Sequence, residues 1–555
     1  MEPLSVTRFR ACLLALAVGA LTIFIYQPAW HGGFIWDDDR YVTDNHLLTA
    51  PDGLRRIWFS LDAPSQYFPL TYTLLRIERS LWDLNPTGYH WVNILLHVAN
   101  AFLVWRILTR LNIPGAWLAA TIFALHPVQV ESVAWISELK NLLMGFFFLL
   151  TLLAWIEYVD RRRHDRWIFY VIALVFYLFA LAAKSTACTL PAALLLILWW
   201  KKKPINRRAV LEIIPFVVLA LGLGLIAVWW EKYHQGTRVL VSLAPTERLL
   251  IASRAIWFYL SKIFWPSNLT FIYPQWKIST SDPTAYIWLI ATVALGVLIY
   301  FGRRFFGRSV EVATLFFVAT LSPLLGFIML YTFRYTFVAD HYQYLACIGP
   351  IALAAGGFIK LIEKTRSEKW IMSCATIAVV VCLSFLTFRQ SATYQDMETL
   401  WRTTIAKDPN SWMAYNNLGV VQMGKGNMDD AIEKYERALR LHPEYPEALY
   451  NLGSSLLQKG KPNDAIQLCE QALKLQPNDP DAHVVLGNAF MTNGDVDQAI
   501  RQYGNALSIR PEDVNAHYNL GVALQQKGEL EQAAEEFKKA NELDGNREHP
   551  PKQDR

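Results

Sequence analysis

This 555-residue chain has few cysteines and a modest share of charge. Its six cysteines, Cys12, Cys188, Cys347, Cys374, Cys382 and Cys469, show neither metal-ligand spacing nor a disulfide framework, and five fall in or beside apolar runs. Only 18% of residues are charged. The basic ones come in short clusters between apolar runs, which argues against a nucleic-acid partner. No small-x-small cleavage site follows the first apolar run. Arg8, Arg10 and 11–25 therefore read as an uncleaved first helix rather than a secretory leader. No inverted repeat relates the apolar segments, which weighs against a transporter. The last residues, Pro551-Lys552-Gln553-Asp554-Arg555, carry no ER-retention signal.

What is abundant is apolar and aromatic surface. Apolar residues make up 53% and aromatics 14%, with a mean hydropathy of +0.21. The charge divides the chain in two. Residues 1–389 hold 35 Lys and Arg against 22 Asp and Glu, whereas residues 390–555 hold 17 against 25. A basic membrane part and an acidic soluble part are expected, and the net charge of +5 describes neither.

The acidic part is periodic. Pro409, Pro443, Pro477 and Pro511 are spaced 34 apart, as are Gly419, Gly453, Gly487 and Gly521. So are Ala431, Ala465, Ala499 and Ala533, and Ala438, Ala472, Ala506 and Ala540. Four position classes with one 34-residue period are the tetratricopeptide (TPR) signature. The Gly and Ala positions let paired helices approach, and the Pro cannot continue the helix before it. The expected layout is a membrane domain over 1–389, a linking half-repeat over 390–411, four repeats over 412–547 and a tail over 548–555. Such arrays stack into a concave protein-binding surface. Asn417, Asn451 and Asn519 share one repeat position, interrupted by Val485. They are either a ladder that grips a peptide backbone or ordinary solvated helix residues.

In the basic part, apolar stretches near 11–28, 91–109, 114–128, 139–158, 167–183, 186–200, 209–230, 285–302, 310–331, 343–363 and 370–388 give eleven expected spans. The fold class is thus all-α, a polytopic membrane domain followed by an α-solenoid. Basic clusters belong to the cytoplasmic side: Arg161, Arg162, Arg163 and Arg166; Lys201, Lys202, Lys203, Arg207 and Arg208; Arg303 and Arg304; and 360–369. The stretch 249–265 is apolar but holds Arg254 and Lys262, so it reads as an interfacial or re-entrant helix. The N-terminus is then inside, and the repeats lie outside with the loops 29–90 and 231–284. Twelve spans with the repeats inside is the alternative.

This orientation gathers the unusual polar residues on the outer side. Gly33-Phe34-Ile35-Trp36-Asp37-Asp38-Asp39 follows the first span. Adjacent carboxylates at a membrane face favour raised pKa values and can take a proton from a hydroxyl, unless the turn is simply solvated. Further polar groups are His126 and Glu131 between two spans, Lys184 at a helix end, and 334–341 with Arg334, Asp340 and His341. Ionisable groups at membrane depth are default functional candidates, although a lysine at a helix end can also snorkel.

Several blocks then resemble the transmembrane-and-TPR-containing (TMTC) O-mannosyltransferase family and its bacterial relatives, within the GT-C class of membrane glycosyltransferases. They are Phe34-Ile35-Trp36-Asp37-Asp38 with Asn45; Tyr67-Phe68-Pro69-Leu70-Thr71; Asn85-Pro86-Thr87-Gly88-Tyr89-His90-Trp91-Val92-Asn93 through His97; His126-Pro127-Val128-Gln129-Val130-Glu131; Ala339-Asp340-His341-Tyr342-Gln343-Tyr344; and the repeats. The resemblance implies transfer of a sugar, mannose in many members, from a polyprenyl-phosphate carrier to a protein hydroxyl. Asp37 or Asp38 would be the base, and Glu131 a second acidic group shaping the pocket. Lys184, Arg334 and His341 would bind the donor phosphate. The array would present a protein or peptide acceptor. The protein-mannosylating relatives imply no metal or other cofactor, although clustered aspartates can bind a divalent ion. Two positions depart from the pattern. Many relatives have Arg where His341 stands, and many eukaryotic ones have Glu at Ser185. The competing reading is a non-catalytic envelope scaffold that uses the array for protein binding. The expected setting is a bacterial inner membrane with periplasmic repeats, with an ER membrane and lumenal repeats as the alternative.

Overall fold

The computed structural model describes residues 4–60, 66–161, 165–235, 243–328, 331–365 and 369–545. Arg162 and Arg163, residues 366–368 of the basic run 360–369, parts of the two expected outer loops and the tail 548–555 lie outside the described residues. The chain divides into two units, Met1–Leu400 and Trp401–Arg555.

The first unit runs through α1 (Leu4–Ile25), α2 (Gly53–Phe59), α3 (Pro69–Trp82), α4 (Pro86–Arg110), α5 (Ala116–Leu125), α6 (Val130–Ala134), α7 (Leu139–Asp160) and α8 (Arg166–Ala183). It continues through α9 (Leu190–Trp200), α10 (Arg207–Gln235), α11 (Pro245–Phe264), α12 (Ile287–Phe306), α13 (Arg308–Leu321), α14 (Ile348–Thr365) and α15 (Lys369–Ser391). Each of the eleven apolar stretches overlaps one of these helices. Among the described residues, six helical segments are long and apolar enough to cross a membrane: Pro86–Arg110, Ile136–Asp160, Arg166–Ala183, Arg207–Trp230, Pro283–Phe305 and Ser373–Tyr394. Their outward faces stay apolar. Ile168, Val171 and Val175 on α8, Val218, Leu221 and Leu225 on α10, and Ile377, Val381 and Phe385 on α15 are exposed at helical spacing. An exposed apolar belt of this extent needs lipid, and the protein is an integral membrane protein. The ambiguous stretch is α11, not one of the six. One face buries Leu250, Ile251, Ala255 and Tyr259, while Arg254 stands over the Trp276 ring at 4.4 Å.

The helix series breaks between α5 and α7. Pro127 disfavours helical geometry at the residue before it, and His126 is extended (φ −81°, ψ 129°). Two short 3-10 turns flank the five-residue α6 before α7 begins. The freed backbone groups find side-chain partners. On α4, His97 Nε2 lies 3.1 Å from the Ala124 carbonyl, and Asn93 Nδ2 donates to the carbonyls of Trp135 (3.1 Å) and Ile136 (3.4 Å). Asn100 Nδ2 donates to the Leu142 carbonyl, and Thr387 Oγ1 on α15 donates to that of Leu125 at 2.7 Å.

In the second unit, α16 (Met397–Lys407) carries the chain across the division, and four helix pairs follow: α17 (Trp412–Gly424) with α18 (Met428–Leu441), α19 (Pro446–Gln458) with α20 (Pro462–Leu475), α21 (Pro480–Thr492) with α22 (Val496–Ile509), and α23 (Val514–Lys527) with α24 (Leu530–Gly545). Helices α16, α18, α20 and α22 each stop two residues before one of the periodic prolines. All eight periodic alanines are buried. The periodic glycines have a common reason. A Cβ at Gly419, Gly487 or Gly521 would sit 2.6, 2.5 or 2.8 Å from the ring of Tyr435, Tyr503 or Phe537. At Gly453 the neighbour is the smaller Cys469 Sγ at 3.0 Å. Cys469 thus stands where the other repeats place an aromatic. A second glycine series, Gly426, Gly460, Gly494 and Gly528, takes positive φ at each intra-repeat turn (+78°, +75°, +85°, +93°), a conformation open to glycine at no steric cost.

Replacing Gly487 by Ala is expected to destabilise the protein by about 1–3 kcal/mol through overpacking against Tyr503. Gly424→Ala, where nothing stands within 4 Å of the new Cβ, should be neutral or slightly stabilising. Thermal unfolding of the full chain followed by circular dichroism separates the two.

Candidate functional site

The acidic turn is shaped by a strained residue. Trp36 adopts φ +48°, a left-handed conformation uncommon for a side chain of this bulk. Its N–H donates to Met397 Sδ at 3.0 Å, and its ring meets Phe271 edge-on at 6.3 Å. Three residues earlier, the Gly33 N–H donates to the Gln395 carbonyl at 2.8 Å. The bend sends the next two carboxylates to different places. Asp38 is fully buried. Its Oδ2 accepts from the Ile35 N–H (2.9 Å) and its Oδ1 from the Ser137 N–H (2.8 Å). Burial raises its pKa to about 7 against the opposing effect of these hydrogen bonds. Asp37 is only partly buried, and among the described residues its carboxylate accepts no hydrogen bond that would tie it down. Burial raises its pKa, while Arg40 and Lys140 lower it and Glu138 raises it. Asp39 is exposed.

Behind the turn lies a buried charged cluster at the start of α7. Glu138 Oε1 is 2.9 Å from Lys140 Nζ, and Glu138 Oε2 is 3.4 Å from Lys184 Nζ. Lys184 also donates to Asn141 Oδ1 at 2.9 Å, and Asn141 Nδ2 donates to the His341 carbonyl at 2.8 Å. Glu131 Oε2 accepts from the His341 N–H at 3.0 Å, and its Oε1 lies 3.1 Å from His341 Nδ1. Lys140 Nζ reaches the Tyr41 hydroxyl at 3.4 Å and stands 4.4 Å from the Tyr41 ring centroid. The cluster therefore joins the acidic turn, α6, α7, the end of α8 and the turn Asp340–Gln343. Next to Asp340, the Tyr273 hydroxyl donates to the carboxylate at 3.0 and 3.1 Å. Among the described residues, no group of three His, Cys, Asp or Glu side chains is arranged to hold a metal ion.

Two cavities flank this region. One, of about 310 Å³, is apolar and lined by Trp58, Tyr67, Leu178, Phe179, Ala182 and Ser185 among others; it ends on both chain neighbours of the Ala183–Lys184 pair. The other, of about 450 Å³, is lined by Gln27, Pro28, His31, Gly33, Gln395 and Asp396, on the near side of the acidic turn.

Family models for the tetratricopeptide repeat match residues 392–440, 421–480 and 514–547, and one described as TPR repeat matches 487–528. Among curated proteins, the chain is 24% identical to the protein O-mannosyl-transferase F38B6.6 of Caenorhabditis elegans, over 77% of this chain and 62% of that protein. It is 25% identical to human protein O-mannosyl-transferase TMTC4 (76% and 65%) and 24% identical to human TMTC3 (78% and 51%). The chain is thus similar, over about three quarters of its length, to proteins named as O-mannosyl-transferases of the TMTC type. It spans about half to two thirds of the length of these relatives. Solved structures similar to part of the chain include a MamA protein, 30% identical over 27% of this chain and 81% of that one, with a TM-score of 0.24. Another is YrrB, described as a TPR protein with an unusual peptide-binding site, at 24%, 34% and 93%, also with a TM-score of 0.24.

The contacts above bring Glu131, Lys184 and His341 together, with Asp38 joined through the Ser137 N–H and Asp37 through its backbone carbonyl, which accepts from the Tyr41 N–H. The pairs that join Lys184 to His341 do not include Arg334, which sits on the separate turn Tyr331–Arg334 with its guanidinium 5.7 Å from the Tyr335 ring. His126 has a structural partner, its Nε2 lying 2.8 Å from the Ile263 carbonyl. In the array, Asn417 Nδ2 donates to its own helix at Met413. Asn451 Nδ2 donates to Asn416 Oδ1 (3.1 Å) and Asn519 Nδ2 to Asn488 Oδ1 (3.0 Å), so these amides bridge repeats. The cluster also contains Glu138, Lys140 and Asn141, which the sequence reading passed over. Their signal was an ionisable pair and an amide in the first turn of an apolar helix.

The two adjacent aspartates should separate in stability. Asp38→Asn turns an amide group toward a backbone N–H and is expected to cost about 1–3 kcal/mol. Asp37→Asn should stay within about 0.5 kcal/mol of the parent. Thermal unfolding of the detergent-solubilised full chain is the measurement.

Proposed function

We propose that this chain is a membrane protein O-glycosyltransferase that moves a sugar, mannose in the first instance, from a polyprenyl-phosphate carrier to hydroxyls of a protein acceptor. The observation that carries this is Asp37. It is a partly exposed carboxylate that accepts no hydrogen bond among the described residues, set beside a buried cluster containing Lys140 and Lys184 in a chain similar to O-mannosyl-transferases. Asp37 takes the proton of the acceptor hydroxyl as its oxygen attacks the anomeric carbon. The bond from that carbon to the carrier phosphate breaks in the same in-line step, with inversion, and polyprenyl phosphate leaves. Cationic donors placed where charge develops are worth most in a dry site. Lys184, His341 and Arg334 are assigned that role at the leaving phosphate. Asp38 anchors the turn, and Glu131 holds His341 by both its backbone and its ring. The apolar cavity ending beside Lys184 offers a place for part of the carrier chain. The repeats, which bind protein in such arrays, deliver the acceptor from the outer side of a bacterial inner membrane, and no metal is required.

Transfer of labelled mannose from mannosyl polyprenyl phosphate to protein acceptors by the purified full-length chain is the test. Asp37→Asn should lower kcat roughly 10²–10⁴-fold, the range for loss of a general base, without loss of folded protein. Undiminished transfer in that variant removes the assigned base. Lys184→Met should raise the KM for donor while leaving that for acceptor in place. A reporter fused after Arg389 that is active only in the cytoplasm would reverse the assigned orientation.

A further inference from the structure

One carboxylate of the cluster has no role in the transfer chemistry just described. Glu138 closes the short turn Ile136–Glu138 before α7 and is 1% exposed. Two ammonium groups in a poorly solvated site repel each other strongly, and a carboxylate taking one on each oxygen is what lets both stay. Glu138 does this with Lys140 on Oε1 and Lys184 on Oε2. Its Oε1 is also 4.0 Å from His341 Nε2. Each lysine is then tied in a different direction. Lys140 reaches Tyr41, whose N–H donates to the Asp37 carbonyl at 3.1 Å. Lys184 reaches Asn141, which holds the His341 carbonyl. Glu138 thus serves the acidic turn through Lys140 on one oxygen and the His341 side through Lys184 on the other.

We propose that Glu138 is the positioning residue of the transfer site, holding Lys140 against the Asp37 turn with one oxygen and Lys184 toward the donor phosphate with the other. The assignment rests on the transfer reading for what the two sides do. The charged and titratable groups facing Asp37 are Asp39, Arg40 and Tyr41 of its own turn, Tyr72 of α3, and Glu138 and Lys140 at the start of α7. Removing the Lys140 charge takes a cation from Asp37 and makes it harder to ionise. Neutralising Glu138 removes an anion and leaves Lys140 unpaired beside Asp37, which makes it easier to ionise. The two substitutions act on Asp37 with opposite sign, although both break the same ion pair. A purely structural role would not produce that.

The experiment uses the full-length chain in lipid nanodiscs and two readouts that need no sugar transfer. Isotope-edited infrared titration follows the carboxyl band that Asp37→Asn abolishes. Binding of polyprenyl phosphate, the spent carrier, is measured alongside. Relative to the parent, Glu138→Gln should move the Asp37 midpoint down and Lys140→Met should move it up, each by roughly one pH unit, with Lys184→Met leaving it in place. Affinity for polyprenyl phosphate should fall roughly tenfold or more in Glu138→Gln and Lys184→Met and stay unchanged in Lys140→Met. Glu138→Asp keeps the charge and should leave the Asp37 midpoint unmoved. Midpoints that move together or not at all, or full carrier affinity in Glu138→Gln, overturn the proposal. Should Glu138→Gln fail to fold, a Lys140→Met protein with an unmoved midpoint or weakened carrier binding overturns it equally. A parent protein that transfers no sugar would instead remove the transfer reading, with the titration still deciding what Glu138 does to Asp37.

Discussion

The structure depends on satisfying a broken backbone in the middle of a helical membrane unit. Between Leu125 and Leu139 the chain leaves regular helix while remaining buried. Burial screens the freed groups from bulk solvent, and leaving them unpaired is costly. The solution is a polar stripe on α4. His90, Asn93, His97 and Asn100 follow a spacing of three, four and three, which puts them on one helix face. Three of them address carbonyls at the two edges of the break. Asp38 completes the set from the first loop by taking the Ser137 N–H.

The break is what allows charge inside. A continuous helix through this stretch would hide its backbone groups and aim its side chains by helical period alone. Interrupted, it turns Glu131, Glu138, Lys140 and Asn141 toward one another and toward His341 and Lys184. Removing one member of a buried ion pair costs far more than the pair contributes, because the partner is left uncompensated. The charged cluster and the broken segment therefore constrain each other. The cluster fixes where the turns end, and the turns fix which carboxylate meets which lysine.

The repeats were legible in sequence because one period ties together residues whose physical reasons are independent: a proline after each helix, a glycine under each ring, alanines between helices. The second glycine series was equally regular and was passed over, although positive φ at each turn requires it. The acidic turn was legible as a cluster but not as two roles. Asp37 and Asp38 are neighbours of the same type, and only the bend at Trp36 sends one inward to backbone donors and leaves the other without a hydrogen bond to its carboxylate among the described residues. Glu138 and Lys140 were missed for a different reason. A hydropathy reading starts a span where the apolar run starts, so polar residues in its first turn look like a boundary rather than a site. In the array, the shared position of Asn451 and Asn519 was visible, but their donation to Asn416 and Asn488 was not, since it depends on the stacking of successive repeats.

The turn that carries Asp37 has a second attachment besides Ser137. Gly33 and Trp36 bind Gln395 and Met397, close to the end of the first unit at Leu400. Trp36 holds a backbone conformation that a bulky residue adopts only when its surroundings over-determine it, and those two bonds are part of what does so. Asp37 is therefore positioned from both directions, by the broken segment through Asp38 and by the 395–397 segment through Gly33 and Trp36. On the transfer reading, the base is set jointly by the donor side and by the start of the segment that leads to the acceptor module. A substitution at Met397 that left the repeats folded would then act on the ionisation and orientation of Asp37 rather than on protein binding.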